Sequence, residues 1–331
     1  MVDEWLTALA VSPARPFLLL AALALDALVG DPPGLYRVVP HPVVVAGRAI
    51  GALERRLNQP HLSEVTLLMR GALVVVAAVG LGAVVGWGVV LVARALPYGW
   101  LLELVFVAAL LAQRGLYRHV RAVARALDED GLAAGRREVG HIVGRDPDSL
   151  DEHGVARAAI ESCAENFADG VVAPAFWFLL LGVPGLAAYK VVNTLDSMIG
   201  HPAPRYRAFG KAAARLDDAA NFVPARIGSA FLALAALVMP AASPGRAVRT
   251  LIRDASKHHS PNAGWPEAAM AGALGLALAG PRRYGGDVVE DPWIGDGRTR
   301  ATTVDIGRAL YLFAVACVLN AGLVAALAML A

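Results

Sequence analysis

Cysteine is almost absent: Cys163 and Cys317 are the only two in 331 residues. They are far apart and lack metal-ligand spacing, which excludes a disulfide framework and a thiolate metal site and leaves both as small packing residues. Charge is also scarce, at 18% of residues, where a soluble domain carries roughly 25%. No sign of charge dominates. Thirty basic and 28 acidic residues give a net charge of +2, too little to imply a nucleic-acid partner. No small-residue cleavage site follows the first apolar run, which begins near Pro16. Gly30-Asp31-Pro32 follows instead, so that run reads as an uncleaved helix rather than a signal peptide. What is plentiful is apolar: 57% of the chain, with a mean hydropathy of +0.53. The class expected is an all-α, polytopic integral membrane protein, with 1–331 as one membrane-embedded catalytic domain.

A spanning helix needs about 20 mostly apolar residues. Gly71–Ala93 and Ala309–Ala331 contain no charge and are the clearest spans. Phe17–Val29 carries Asp26, and Gly99–Gln113 carries Glu103. Ile227–Gly245 is uncharged but interrupted by Pro240 and Pro244, and Ala268–Pro281 is short for a span. Gly82, Gly86 and Gly88 lie inside an apolar run with no preceding strand. They read as close helix-packing positions rather than a nucleotide loop.

Val171–Val192 has the length of a span, but Gly182-Val183-Pro184-Gly185 interrupts its middle. Adjacent Gly and Pro mark a turn. Each half is then about ten residues, roughly 15 Å of helix, half a bilayer. A re-entrant helical hairpin is expected, returning Lys190, Asn193 and Asp196 to the side of Glu165, Asn166 and Asp169. The long connections are basic: residues 31–70 carry five Arg and 113–170 carry eight. By the positive-inside rule they face the cytoplasm, with 113–165 as a cytoplasmic helical insertion and the protein in the cell's inner (plasma) membrane. Within it, Leu116, Val120, Val123 and Leu127 make one helical face, and Arg114, Arg118, Arg121 and Arg125 another, solvated or at lipid headgroups.

The polar motifs gather at the ends of apolar runs. Ser149 with Glu152 has the pattern of a capping box, opening a helix past Glu165. On it Glu161, Glu165 and Asp169 fall at i, i+4 and i+8, with Asn166 beside them. A merely solvated face has no reason to end at the membrane, and stacked carboxylates repel unless a cation binds them. After the hairpin Lys190, Asn193 and Ser197 share a face with Asp196 at its edge. A snorkelling Lys would explain Lys190 alone; its company favours a site. Gly200-His201-Pro202-Ala203-Pro204 ends that helix. Asp217 and Asp218, with Asn221 one turn on, suit an oxygen-ligand Mg²⁺ site or a solvated charge pair. His41 between Pro40 and Pro42 is held stiffly, and a structural turn and a catalytic role both stay open. Asn262, Trp265 and Glu267 stand in a turn-rich stretch that a plain turn would not need; His258 and His259 before it are weak evidence for zinc.

Six stretches in order, LDALVGDP (25–32), PHPVVVAGR (40–48), ESCAENFADGVVAPAF (161–176), YKVVNTLDSMIGH (189–201), RLDDAANFVPAR (215–226) and SPNAGWPEAAMAGALG (260–275), resemble the CobD/CbiB family, the adenosylcobinamide-phosphate synthases of cobalamin biosynthesis. The departures are mild: Cys163, Phe167 and Ala168 in the acidic stretch, His201 where an aromatic such as Tyr is expected, and Ala219 and Phe222. They bear on fine substrate preference.

The resemblance implies an ATP- and Mg²⁺-dependent amide ligase. It would join the carboxylate of adenosylcobyric acid to an amine, usually aminopropanol phosphate, giving adenosylcobinamide phosphate. No GxxxxGK[ST] loop occurs, so ATP would be held unconventionally. On this reading Glu161, Asp169, Asp196, Asp217 and Asp218 are candidates for the metal, and Lys190, Arg205 and Arg215 for phosphate. Asn166, Asn193, Ser197, Asn262 and Trp265 are candidates for substrate binding, and His41 or Glu165 for deprotonating the amine. The partners implied are the corrinoid, the amino-alcohol phosphate, the bilayer and other late membrane enzymes of the pathway. Two alternatives are a UbiA-like Mg²⁺-dependent prenyltransferase, which leaves NTLDSM and SPNAGWP without a role, and a corrinoid or cation transporter, which needs charge distributed across the membrane. Glu103 is the main charge away from the expected face.

Overall fold

A computed structural model describes residues 14–330 except 39, 145, 202, 285, 286 and 290. Arg145, Pro202 and Ala331 lie outside the described residues. Among the described residues the fold is helical, with four short strands. Four helical stretches among the described residues are long and apolar enough to cross a membrane: Glu64–Ala95, Trp100–Asp130, Glu152–Gly200 and Thr303–Leu330. The described residues form two compact units, one within 14–112, 173–221 and 324–330, the other within 113–172 and 222–323. The stretch 113–165 thus belongs to a larger unit, packed with residues far along the chain.

The first unit contains α1 (Ala14–Leu28), α2 (Pro33–Val38), α3 (Pro42–Leu57), α4 (Glu64–Ala95) and α5 (Trp100–Leu110), followed by α9 (Ala173–Leu195). Helix α4 is the plain span. It exposes Leu73, Val76, Leu81, Val84, Val85, Leu91 and Val92, as a lipid-facing surface requires, and buries Gly71, Val74, Val75, Gly82 and Gly86. Those glycines admit other backbone. A β-carbon on Gly82 would lie 3.2 Å from the Ala187 carbonyl oxygen, and one on Gly86 would lie 2.7 Å from Cα of Pro184. Gly71 presses on the Phe209 carbonyl. Gly88 does not share this role, because nothing lies within 4 Å of its position; it is two residues, about 200° of helix, beyond Gly86.

The hairpin is present in α9. Gly182 has φ 67° and ψ −156°, a conformation that glycine adopts freely and other residues do not. Pro184 stands in the first turn of the returning arm, where a missing N–H costs nothing. A β-carbon on Gly185 would lie 2.9 Å from the Trp177 carbonyl oxygen, whereas a straight helix would place residues eight apart about 12 Å from each other. Trp177 Nε1 donates to the Ala220 carbonyl and Tyr189 OH donates to Asn221 Oδ1. Both arms therefore reach adjacent residues of α10 (Lys211–Ala235). Irregular backbone at membrane depth is tolerated when protein covers it, and Gly86 of α4 covers this turn. Arg15 Nη1 donates to the Leu180 carbonyl, 3.4 Å away.

The second unit is built on α8 (Glu152–Phe167), whose residues Val155, Ala156, Ala158, Ala159, Ile160, Cys163, Ala164 and Phe167 are buried. Helix α6 (Gln113–Asp130) lays Leu116, Val120 and Val123 onto this core and leaves Arg114, Arg118, Arg121 and Arg125 exposed. Helix α7 (Leu132–Val139) packs beside it. The cap of α8 is Asp151, which accepts the Gly154 N–H at 2.6 Å, rather than the expected Ser149. Ser149 closes a 3₁₀ turn begun at Pro147 and donates its hydroxyl to the Asp146 carbonyl. The expected run Ile227–Gly245 is not a continuous helix: α10 ends at Ala235, and Pro244 opens α11 (Pro244–Asp254) behind a Ser243 cap. Helix α12 (Gly264–Leu274) is buried from Pro266 to Leu274, a core helix rather than a span. β1 (Leu278–Ala279) pairs with β4 (Trp293–Ile294), and β2 (Arg282–Tyr284) with β3 (Asp287–Val289).

Two fully buried carboxylates hold the loop that leads to α13 (Thr303–Leu330). Asp254 accepts from Arg253, Lys257 and the Gly295 N–H at 2.7–2.8 Å. Burial alone would raise its pKa, but these donors hold it below the usual carboxylate range. Asp305 accepts from Arg298, and from the Thr302 N–H and hydroxyl as a helix cap.

Candidate functional site

In the first unit, the motifs expected to act together are tied to one another. Asn221 links two of them: it accepts from Tyr189 OH at 2.8 Å and donates Nδ2 to Asp217 Oδ2 at 2.9 Å. Asp217 and Asn221 are buried, so this pair is not a solvated charge face. The regular helix ends at Leu195, and Asp196–Gly200 forms a π turn, an irregularity often found at functional sites. The Asp196 side chain folds over Gly200, where a β-carbon would collide with it. Asp196 and Asp218 are electrostatic neighbours, with His201 beside Asp196 and Arg215 beside Asp218. Burial raises the Asp218 pKa, against the opposing pull of Arg215.

Two carboxylates near each other, with a carboxamide close by in sequence, are hard oxygen donors. Among the described residues no group of three or more His, Cys, Asp and Glu gathers as a metal cluster. Asp196 and Asp218 could hold a Mg²⁺ whose coordination phosphate and water complete, as is usual for that ion.

Other candidates of this unit are already engaged. Arg205 gives Nε and Nη2 to Oε1 of the buried Glu54, both at 2.8 Å, and this contact raises its pKa. Ser197 returns its hydroxyl to the Asn193 carbonyl, and Thr194 returns its own to that of Lys190. His41 caps α3: its Nδ1 accepts the Val43 N–H at 3.2 Å while Nε2 faces Asp31 at 3.5 Å and the ring lies against Tyr36. In that tautomer the acceptor nitrogen is spent on the backbone. Glu103 lies within electrostatic reach of Arg94 and Arg15, so the charge that stood apart from the others has partners.

In the second unit, the acidic stripe is divided by depth. Glu161 is buried and accepts the Ala279 N–H at 2.8 Å, which ties α8 to β1. Glu165, Asn166 and Asp169 are half-buried, and Asn166 donates Nδ2 to the carbonyl and hydroxyl of Ser162. A second π turn, Ala168–Val172, carries Asp169. Asn262 is buried, and its Oδ1 accepts from Arg226, whose guanidinium also lies over the Trp265 ring. His258 Nδ1 accepts the Ser260 N–H, and its Nε2 lies 3.7 Å from buried Glu267. The sequence motifs contained Arg226 and Tyr189 without singling them out; nothing local distinguishes an Arg one turn past an Asn until its contacts are seen.

A hairpin-bearing helical membrane protein with paired carboxylates at the hairpin's returning end defines the class. The chain belongs to the CobD/Cbib protein family, whose model matches residues 19–313. It is 51% identical over 316 residues to "Cobalamin biosynthesis protein CobD" of Sinorhizobium sp, covering 95% of this chain and 98% of the relative. The protein of that name from Brucella suis biovar 1 (strain 1330) is 51% identical, with coverage of 92% and 94%. That from Rhodobacter capsulatus is 44% identical, with coverage of 89% and 92%. No solved structure matches the chain.

Proposed function

We propose that this family member forms an amide bond in cobalamin biosynthesis, joining adenosylcobyric acid to aminopropanol phosphate or a related amino alcohol. The observation that carries the reading is the family match over 19–313, which takes in all six motifs. A carboxylate does not condense with an amine in water without activation. ATP supplies it: a carboxylate oxygen attacks the γ-phosphorus, ADP leaves, and an acyl phosphate remains. The amine nitrogen then attacks the acyl carbon, phosphate leaves with the C–O bond pair, and the amine proton passes to a base.

Asp196 and Asp218, with Asp217 behind them, would hold Mg²⁺, and Lys190 and Arg215 would face phosphate. Mg²⁺, when bound, offsets the charge that develops on transferring phosphoryl oxygens. His41 has its acceptor nitrogen in a helix cap, which makes it a poor base for that proton. Arg205 and Glu161 position the fold through Glu54 and Ala279. Asn193 and Ser197 would line the substrate. The active end would face the cytoplasm on the basic-loop rule. A transport reading gains little from Glu103, which lies within electrostatic reach of Arg94 and Arg15. The test is mass spectrometry of the purified protein with adenosylcobyric acid, aminopropanol phosphate, Mg²⁺ and ATP. The mass of adenosylcobinamide phosphate is expected, dependent on both ATP and Mg²⁺. A folded protein that yields none overturns the reading.

A further inference from the structure

Arg226 is held more firmly than any helix surface requires. Its Nη1 donates to the Phe222 carbonyl and to Asn262 Oδ1, each at 2.8 Å, and its Nη2 donates to the Pro261 carbonyl at 3.2 Å. The guanidinium carbon lies 3.7 Å from the Phe222 ring centroid and 4.4 Å from that of Trp265. Two aromatic rings and three carbonyl-type acceptors therefore fix one half-buried cation. All of these partners are neutral. Arg205 has Glu54, Arg207 has Glu64, Arg253 has Asp254 and Asp296, and Arg298 has Asp305. Arg226 has no carboxylate partner among the described residues, and burial pulls its pKa down, the sign of a charge left uncompensated.

A guanidinium carries five N–H donors. Three are used, which leaves the Nε–H and one Nη2–H, on neighbouring nitrogens, without an acceptor among the described residues. Donors so placed match the paired oxygens of a phosphate. Ordering a long side chain normally opposes such binding; here that ordering precedes the ligand.

We propose that Arg226 is a phosphate-binding residue, holding the phosphate of a soluble substrate beside Trp265. The substrate assignment rests on the amide-forming reading; the anion site itself does not. A phosphate monoester on the amine is a non-reacting group that needs only to be held, which suits a fixed cation. The phosphates of ATP and of a lipid headgroup share its chemistry, so the sources must be separated.

The full-length protein in nanodiscs of neutral phosphatidylcholine is titrated with aminopropanol phosphate, with ATP and with aminopropanol, following tryptophan fluorescence. W265F identifies the Trp265 signal. A saturating change with aminopropanol phosphate is expected, absent in W265F and absent with aminopropanol. R226Q should weaken it about 10–100-fold, the scale of one lost charge-assisted contact, and R226K should weaken it less. A response to ATP alone moves the site to the nucleotide and overturns the amine assignment. A response only when the discs contain anionic lipid overturns the soluble-substrate assignment. Unchanged binding by folded R226Q, or by R226K if R226Q does not fold, together with equal thermal stability, overturns the site. Phosphate binding without any amide product would sink the proposed reaction and leave Arg226 standing; amide formation with an unchanged KM in R226Q would do the reverse.

Discussion

Asp196 and Asp218 are 22 positions apart in sequence, yet each lies in the other's field. Each was legible as a member of a polar motif, because an acidic side chain beside an apolar run is costly unless paired or bound. That they gather at one end of the apolar runs was legible too; what was not is how far α10 slides along the returning arm, which the Tyr189–Asn221–Asp217 chain sets. Asp196→Asn keeps the size and removes the charge. It should fold as the parent does, with amide formation reduced at least about 100-fold, the scale lost with a principal electrostatic group. Excess Mg²⁺ should recover part of the loss. Near-normal turnover in a folded Asp196→Asn protein would make this residue structural. At the same scale nothing in the local sequence marks Arg226, Asp254 or Asp305. An Arg or Asp acquires its role from partners that the local sequence does not name.

The hairpin is where sequence and structure agree most closely among the elements. Gly182 and Pro184 are chemically specific: one for a positive φ, the other for a helix's first turn. Gly82 and Gly86 follow from the same logic, because small residues let backbones approach. Gly88 shows its limit, since composition does not reveal which side of a helix meets a neighbour. Gly86→Val should loosen the turn, and Gly182→Ala should cost roughly 1–3 kcal/mol, as an L residue does in a sparsely populated conformation. Gly88→Val should leave the melting temperature of the detergent-solubilised protein where it was. A Gly88→Val variant as unstable as Gly86→Val would contradict the packing described for α4. The capping box shows the opposite failure. Ser149 and Glu152 had the right spacing, but Asp151 sits nearer the helix and its carboxylate accepts more strongly than a hydroxyl.

For the whole molecule, the apolar composition made the membrane class unavoidable, and arginine-rich connections gave the sidedness reading. In a background lacking Cys163 and Cys317, His61→Cys and Glu129→Cys should both react with an impermeant thiol reagent only when the cytoplasmic face is open. Labelling of the two from opposite faces would overturn the topology. The sequence by itself determined the class, the hairpin and the family resemblance, because these rest on hydropathy, on backbone chemistry peculiar to Gly and Pro, and on motif order. Only the tertiary structure decided which polar groups are already taken and which keep donors to offer. Arg205 is bound by Glu54 and His41 by a backbone N–H, while Arg226 is fixed among neutral groups. Hydrogen-bond satisfaction is a property of partners brought together across long stretches of chain, and no local pattern encodes it.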